Sequence, residues 1–301
     1  MKKILLVCDV NNWAWHYKAC EIRDNLTQYK IDIVYTTKGE PRFQRTMMTK
    51  YDHIHFFAWY VLDNELLKFR DKMSTSIASI EYEYTKPDKA RNILPQLIIV
   101  AVSPVMADEM KKLGCKRIYH CYNGVNEIKF YRQPISHPKF RVGAACKPSS
   151  KFDLHGYNLL MNIKQELYSD SEIDCNFHIA NHKTALTHND MFKFYNSLDV
   201  FIHTGNYHLA TPNPVFEAAA CGIPIVATTN GCIPLLVKDG ETGFLIDIKS
   251  NERLKWFVEK LRWLATNRHK CYEMGIKIRK EIELNWTWKQ RSKDWIKVFE
   301  T

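Results

Sequence analysis

The sequence contains no closely spaced cysteines. Its nine cysteines include no Cys-x-x-Cys pair, the spacing typical of zinc sites and thiol–disulfide enzymes, and most of them lie inside apolar segments. This pattern favours buried, reduced thiols over disulfide bridges or a zinc site.

Long apolar runs are also missing. No run approaches the roughly 20 residues that a membrane-spanning helix needs, and the opening MKKILLVCDVNNW has an apolar core too short for a secretory signal. We therefore expect a cytoplasmic protein, which could also rest against the inner face of a membrane. Low-complexity tracts and short repeats are absent too, and 46% hydrophobic with 25% charged residues is a globular composition.

Acidic residues are too few to balance the basic ones. The chain has 43 Lys and Arg against 33 Asp and Glu, a net charge of +10, and the densest basic stretch is 38–50. Such a balance favours an anionic partner, but it does not choose between a nucleotide, a nucleic acid and an anionic lipid surface.

Short apolar segments rich in Val, Ile and Phe alternate with amphipathic helical stretches along the whole chain. This alternation predicts parallel sheets covered by helices, and 301 residues suit two such domains with a cleft between them. The segment 131–140, with two prolines and no periodicity, is the predicted linker, and a helix break is expected near Asn267. We predict strands at 4–10, 32–37, 53–59, 76–82, 97–103 and 117–122, and then at 140–145, 174–180, 200–205, 223–229 and 243–246.

One acidic residue stands in the unusual setting HLATPNPVFEAAACG, 208–222. Asn213 and Pro214 predict the N-cap and first residue of a helix, and Glu217 follows one turn later on the same face. A helix start after a parallel strand suits a phosphate or a sugar hydroxyl, and the carboxylate could accept hydrogen bonds from two vicinal hydroxyls. The alternative is a solvated Glu on an ordinary amphipathic helix.

Four segments resemble the GT-B glycosyltransferases, in particular glycosyltransferase family 4, whose members are retaining and use nucleotide sugars. These are 100–131, 188–205, 285–295 and above all TPNPVFEAAACGIPIVATTNGCIPLLVKDGETGFLI, 211–246. The resemblance implies two doubly wound Rossmann-like domains facing a cleft, with a C-terminal helix crossing back to the first domain. It predicts an acceptor-binding domain of residues 1–135 with 287–301, and a donor-binding domain of residues 136–286.

Carried over by position, the resemblance implies that Glu217 binds the ribose of a nucleotide-diphosphate sugar. The diphosphate would meet a basic side chain in the loop 143–156, where the family's usual Arg and Lys spacing is not reproduced. Surface roles for these lysines are an equal alternative. The other implied donor-site residues are Thr211, Pro212 and Asn213 against sugar and phosphates, Lys147 and Lys151 for the diphosphate, and Leu186 or Thr187 near the base.

Two departures from the family pattern concern the sugar and the acceptor. The family has a second acid, contacting the transferred sugar, eight positions before Glu217, where this chain has Leu209. The first strand leads into DVNNWAWHYKAC instead of a glycine-rich loop, so Trp13 could stack on an acceptor while Asn11 and Asn12 hydrogen-bond to it. Core packing is the alternative for the tryptophans, and is favoured for Trp15.

Two residues of the first domain are candidates for proton transfer. Glu81 falls near the position of a cleft histidine in the family and could act as a base toward an acceptor hydroxyl, unless it is simply solvated. His55 lies near a strand end that could face the cleft, although a buried core histidine is favoured.

The resemblance implies a glycosyltransferase that moves a hexosyl or pentosyl group with retention. The expected acceptor is a glycan or lipid-linked saccharide. A hydroxylated or hydroxymethylated DNA base is an alternative acceptor, and a catalytically inactive nucleotide-sugar-binding protein is an alternative function. No Asp-x-Asp motif stands near the expected donor site, so neither a metal nor another cofactor is expected.

Overall fold

The chain forms two compact units, each built around a parallel sheet. A computed structural model describes residues 1–78, 86–146, 153, 155–179, 186–206 and 212–301. Unit 1 comprises Met1–Gly124 and Trp288–Thr301, and unit 2 comprises Val125–Thr287.

The described residues of unit 1 form six parallel strands in the order β2-β1-β3-β4-β5-β6. β1, an inner strand of this sheet, is fully buried from Ile4 to Cys8, as expected of a strand covered on both faces. The strands are β1 (Lys3–Val10), β2 (Lys30–Lys38), β3 (His53–Phe56), β4 (Met73–Ile77), β5 (Ile98–Ala101) and β6 (Arg117–His120). The helices are α1 (Ala14–Asn25), α2 (Pro87–Ile93), α3 (Pro104–Lys112) and, at the end of the chain, α10 (Trp288–Arg291) and α11 (Asp294–Phe299).

Unit 2 contains five parallel strands in the order β11-β10-β9-β7-β8. Its core includes Phe140, Val200 and Phe257, packed between sheet and helices. The strands are β7 (Phe140–Cys146), β8 (Ile173–Ile179), β9 (Val200–His203), β10 (Ile225–Thr228) and β11 (Gly243–Ile246). The helices are α4 (Tyr157–Leu167), α5 (His188–Asn196), α6 (Asn213–Ala220), α7 (Ile233–Leu236), α8 (Arg253–Thr266) and α9 (Arg268–Glu281).

Several boundaries differ from the sequence prediction. β4 begins at Met73, three residues before the predicted start at 76, and 79–85 lie outside the described residues. Residues 125–135, predicted as part of the first domain, belong to unit 2. Asn196 binds this segment there: its backbone carbonyl accepts from Ile135 N at 3.0 Å, and its side-chain Oδ1 accepts from Gln133 N at 2.6 Å. The predicted helix break near Asn267 is confirmed, since α8 ends and α9 begins around it.

Among the described residues, no cysteine is disulfide-bonded and no helix is suited to crossing a bilayer. All nine cysteines lie in the described part of the chain, and none forms a disulfide. Within the described ranges, no helix is both long enough and apolar enough to span a bilayer.

A ladder of histidines and serines crosses the middle of the unit 1 sheet. His53 Nε2 and His55 Nδ1 both lie 2.8 Å from Ser74 Oγ, and His55 Nε2 lies 2.9 Å from Ser76 Oγ. All four side chains are buried, and the His55 ring stands edge-on to Trp295 of α11 at 4.7 Å between ring centroids. The hydroxyls of β4 thus satisfy ring nitrogens of β3 that water cannot reach.

Acid should destabilise unit 1 through these two histidines. Burial lowers the pKa of His53 from 6.5 to about 4 and that of His55 well below 6.5, whereas both rings titrate near 6.5 in the unfolded chain. Between pH 6.5 and 4 the unfolded state therefore binds more protons, and the free energy of unfolding falls as pH falls, by up to about 1.4 kcal/mol per pH unit for each ring. Urea unfolding at pH 7, 6 and 5 measures this slope.

The matched control is the double variant His53→Gln, His55→Gln. We expect it to be less stable at pH 7 but to lose less stability between pH 7 and 5. The same slope in variant and wild type would assign the acid sensitivity to other groups.

Candidate active site

The carboxyl edge of the unit 2 sheet gathers the loops that follow its strands. β7 lies between β8 and β9, so the chain leaves β7 toward one side of the sheet and β9 toward the other. In open parallel sheets this reversal of strand order creates a crevice beyond the carboxyl ends of the strands, where ligands bind. Polar residues at this edge are therefore candidates for the site.

Glu217, a partly buried residue of α6, has its carboxyl held by a tyrosine of α5. The hydroxyl of Tyr195, a fully buried residue, donates to Glu217 Oε2 at 2.7 Å. The Tyr195 ring is itself fixed between Phe130 and Phe201, with centroid distances of 6.0 and 5.7 Å. One carboxyl oxygen is thus anchored, and among the described residues nothing binds the other.

The protein environment weakens the acidity of this carboxyl. Desolvation raises the pKa of Glu217 from 4.5 to about 7, although the Tyr195 hydrogen bond and the positive charge of Lys129 act in the opposite direction. Near neutral pH the group therefore exists in both forms, and the ionised form is a strong acceptor for hydroxyl donors.

The start of α6 differs slightly from the prediction. The helix begins at Asn213, not at Pro214, because the Pro212 carbonyl already accepts from Val215 N at 3.0 Å and Pro212 is the extended residue before the helix. Asn213 is thus the first helical residue, and Pro212 occupies the N-cap position. Glu217 still lies one turn into α6, near the positive end of the helix dipole.

A chain of hydrogen bonds links three loops at the same edge. Arg253, the first residue of α8, donates from Nη1 to Asn206 Oδ1 at 2.6 Å. Asn206 Nδ2 in turn donates to the backbone oxygen of Asp153 at 2.9 Å and to its Oδ2 at 3.1 Å. The Asp153 carboxylate also accepts from Tyr157 N and Asn158 N, which caps α4. Arg253 is partly buried and forms no ion pair with any carboxylate of the described residues.

Comparison with known proteins finds a family model that matches part of the chain. Residues 177–281, roughly a third of the chain, match the family model described as "Glycosyl transferases group 1". Spore coat protein SA of Bacillus subtilis is 26% identical over 111 residues, which span 37% of this chain and 29% of that relative.

Solved structures match the chain along its whole length. HepE of Anabaena, solved in complex with UDP-glucose, superposes with a TM-score of 0.75 at 12% identity and full coverage of both chains. Sucrose-phosphate synthase of Thermosynechococcus elongatus superposes with a TM-score of 0.73 at 12% identity, covering 100% of this chain and 98% of that one.

The fold is GT-B. Both the fold class and the resemblance to GT-B glycosyltransferases that the sequence predicted are confirmed. Among the described residues of this GT-B chain, no group of three or more His, Cys, Asp or Glu side chains is placed to hold a metal ion.

Some of the donor-site residues predicted from the sequence lie outside the described residues, and the others lie within them. Lys147, Lys151, Leu209 and Thr211 lie outside the described residues. Pro212 and Asn213 stand at the start of α6. Leu186 is exposed, and the side chain of Thr187 caps α5, because its Oγ1 accepts from Asp190 N at 3.2 Å. A base contact would therefore involve the surface of Leu186 or the Thr187 backbone.

The predicted acceptor residues follow β1 in unit 1. Asn11 N donates to Lys38 O at 2.7 Å, and Asn11 Oδ1 accepts from Asn12 N, which has a left-handed backbone conformation with φ +57°. Trp13 is 52% exposed and available for stacking, whereas Trp15 is partly buried and packs against the core.

The structure describes one of the two residues proposed for proton transfer. Glu81 lies outside the described residues, so its role stays a prediction. His55 is fully buried and both its ring nitrogens are bonded to serines. Because serine hydroxyls already occupy both ring nitrogens, neither is free to exchange a proton with a substrate, and this position does not fit the catalytic role suggested from the sequence.

Sequence reasoning missed Tyr195, Arg253 and Asn206, as well as His203 at the end of β9. Tyr195, Arg253 and Asn206 bond to residues far away in the chain, which residue spacing does not encode. The one available signal was position: Asn206 follows a predicted strand and Arg253 begins a predicted helix, both on the carboxyl edge.

The pKa of Glu217 can be measured without a ligand. We expect its carboxyl to titrate near pH 7, and Tyr195→Phe to raise the pKa further because the carboxylate then loses a hydrogen-bond donor. NMR titration of protein with 13C-labelled Glu carboxyls measures it, with Glu217→Gln identifying the resonance.

The control is Tyr168→Phe, which removes an equivalent hydroxyl from a residue that is 88% exposed. It should leave the titration unchanged. An identical midpoint in Tyr195→Phe and wild type would mean that the hydrogen bond does not govern this carboxyl.

Proposed function

We propose that this protein is a glycosyltransferase that moves a hexosyl or pentosyl group from a nucleotide-diphosphate sugar to an acceptor hydroxyl, with retention of configuration. The observation that carries the proposal is Glu217: a partly buried carboxyl at the sheet's carboxyl edge, one oxygen fixed by Tyr195, within the segment that matches group 1 glycosyltransferases. HepE, which has the same fold, was solved with UDP-glucose bound. Retention rests on the family resemblance.

Glu217 is proposed to hold the ribose. A carboxylate with one anchored oxygen keeps a fixed orientation and offers its remaining lone pairs to two vicinal hydroxyls, which is the geometry that a ribose presents. The ionised form is the acceptor, so donor binding should strengthen as pH rises through the pKa of about 7.

Glu217→Gln should weaken binding of nucleotide sugars and remove its pH dependence. For the wild type we expect affinity to be roughly tenfold lower at pH 6 than at pH 8, because only about a tenth of the carboxyls are ionised at pH 6. A panel of nucleotide sugars tested by thermal shift identifies the donor, and calorimetry at both pH values then measures the effect.

Glu259→Gln, at an exposed position of α8, is the matched control and should bind like the wild type. Wild-type affinity and turnover in Glu217→Gln would contradict the ribose role. Failure of every nucleotide sugar to bind the wild type would contradict the proposed function as a whole.

Arg253 is proposed to neutralise the diphosphate. The Asn206 side chain holds it at the strand-end crevice, and it has no carboxylate partner among the described residues. Its remaining guanidinium donors suit phosphate oxygens. This leaves a role for Lys147 and Lys151 beside it, as predicted from the sequence.

Arg253→Met should lower affinity for the nucleoside diphosphate by about 10- to 100-fold, the range expected for a charge-assisted hydrogen bond. Affinity for the nucleoside alone should not change, because it carries no phosphate. Calorimetry with both ligands measures this, with Lys255→Met on the same helix as the control. An equal loss for nucleoside and nucleoside diphosphate would instead indicate damage to the fold.

The proposed acceptor is a glycan or lipid-linked saccharide. Trp13, 52% exposed after β1, supports a ring-shaped acceptor because an exposed indole offers a face for stacking. The net charge of +10 suits an anionic membrane surface around a lipid-linked acceptor, but equally suits DNA. With the donor known, mass spectrometry of glycans, lipid-linked saccharides and hydroxymethylated DNA separates these acceptors. Donor binding without transfer to any of them would favour the inactive binding protein.

A further inference from the structure

His203 is a buried histidine whose Nε2 has no hydrogen-bond partner among the described residues. The residue ends β9 and is 8% exposed. Its ring leans along the strand toward the carboxyl edge, since a Cβ built on Gly205 would lie 2.7 Å from His203 Nε2. Within the described part of the chain, Nε2 is enclosed and makes no hydrogen bond.

Such an arrangement is costly unless something else supplies the bond. Leaving a buried donor or acceptor unsatisfied costs roughly 1–3 kcal/mol, and over 90% of buried polar groups avoid it. The contrast with His55, which also lies in a buried strand but has serine hydroxyls on both nitrogens, shows that this chain can satisfy a core histidine. A ligand group is the missing partner that the location suggests.

Gly205 leaves room for the ring nitrogen. Its φ does not lie in the left-handed region, so the backbone does not require glycine here. Any other residue would place its Cβ 2.7 Å from both His203 Nε2 and Asn230 Nδ2. Two neutral polar side chains therefore converge on the Gly205 backbone, where a larger residue would fit only if they shifted.

His203 lies on the same face of the sheet as Glu217. Phe201, two residues earlier in β9, contacts the Tyr195 ring, and Tyr195 binds Glu217. Side chains two residues apart in a strand share a face, so His203 follows Phe201 on the side covered by α6, one step nearer the carboxyl edge.

We propose that His203 hydrogen-bonds a hydroxyl of the sugar carried by the nucleotide and thereby contributes to the choice of sugar. This inference rests on the proposed function, because it assumes that the ligand at this edge is a nucleotide sugar.

The charge state of the ring selects a hydroxyl over a phosphate. Burial, with a smaller effect of His155, lowers the pKa of His203 from 6.5 to about 4, so the imidazole is neutral at pH 7. A neutral imidazole can donate or accept one hydrogen bond, which matches a hydroxyl, whereas a phosphate is better matched by a cation such as Arg253.

The test compares a nucleotide sugar with its nucleoside diphosphate in two variants of His203. His203→Leu removes the ring nitrogens, while His203→Gln returns an amide nitrogen close to the position of Nε2. For His203→Leu we expect affinity for the nucleotide sugar to fall about tenfold, the value of one hydrogen bond to a buried group, with unchanged affinity for the nucleoside diphosphate. His203→Gln should recover most of the loss.

Gly205→Ala provides a second, independent variant that retains the imidazole. Its methyl group would crowd Nε2, so we expect the same selective loss for the nucleotide sugar. If His203→Leu does not fold, Gly205→Ala tests the role of His203 in its place.

Three results would overturn the assignment: no loss in His203→Leu and Gly205→Ala, an equal loss for both ligands, or equally weak binding by the Leu and Gln variants. Each of these three results would be measured in the variants, while the wild type still binds both ligands. A wild-type protein that binds neither ligand would refute the proposed function first, and the role of His203 with it.

Discussion

The parallel arrangement of every strand is the constraint on which the candidate site depends. In a parallel sheet all carboxyl ends lie along one edge, so segments far apart in the chain meet there. In unit 2 this brings together Asp153 after β7, Asn206 after β9 and Arg253 after β11. The hydrogen bonds among them connect the three loops and hold the Arg253 cation at the edge, where no carboxylate of the described residues forms an ion pair with it.

Burial raises the pKa of the Glu217 carboxyl, and the hydrogen bond from Tyr195 opposes that rise. Desolvation alone would favour the protonated acid, which is a poor acceptor, whereas the tyrosine hydroxyl favours the ionised form. The aromatic rings of Phe130 and Phe201 fix Tyr195, so the hydroxyl cannot follow the carboxyl if it moves. Orientation and charge of the carboxylate are therefore both set by one buried ring.

Sequence patterns predicted the strand–helix alternation and the place of Glu217 in the first turns of a helix, because these depend on local periodicity and capping residues. The GT-B fold was predicted from the resemblance to known glycosyltransferases. They did not predict Tyr195, which precedes Glu217 by 22 residues and meets it only through helix packing. His55 is a second residue whose environment the sequence alone does not decide. The segment HIHFF is compatible with a cleft or a core, and only the pairing of β3 with β4, which sets His55 opposite Ser74, decides for the core.

His55 and His203 are buried histidines in two similar sheets, but the hydrogen bonding of their ring nitrogens differs. Each stands in a short buried strand and each is kept neutral by desolvation. In unit 1 the neighbouring strand supplies a serine hydroxyl to each nitrogen of His55, so the polar ring adds specificity to the core and needs nothing from outside. In unit 2 the ring of His203 points past the end of its strand toward a glycine, where the described chain supplies no hydroxyl. The unsatisfied nitrogen of His203 is what indicates a ligand position, because a buried histidine alone does not.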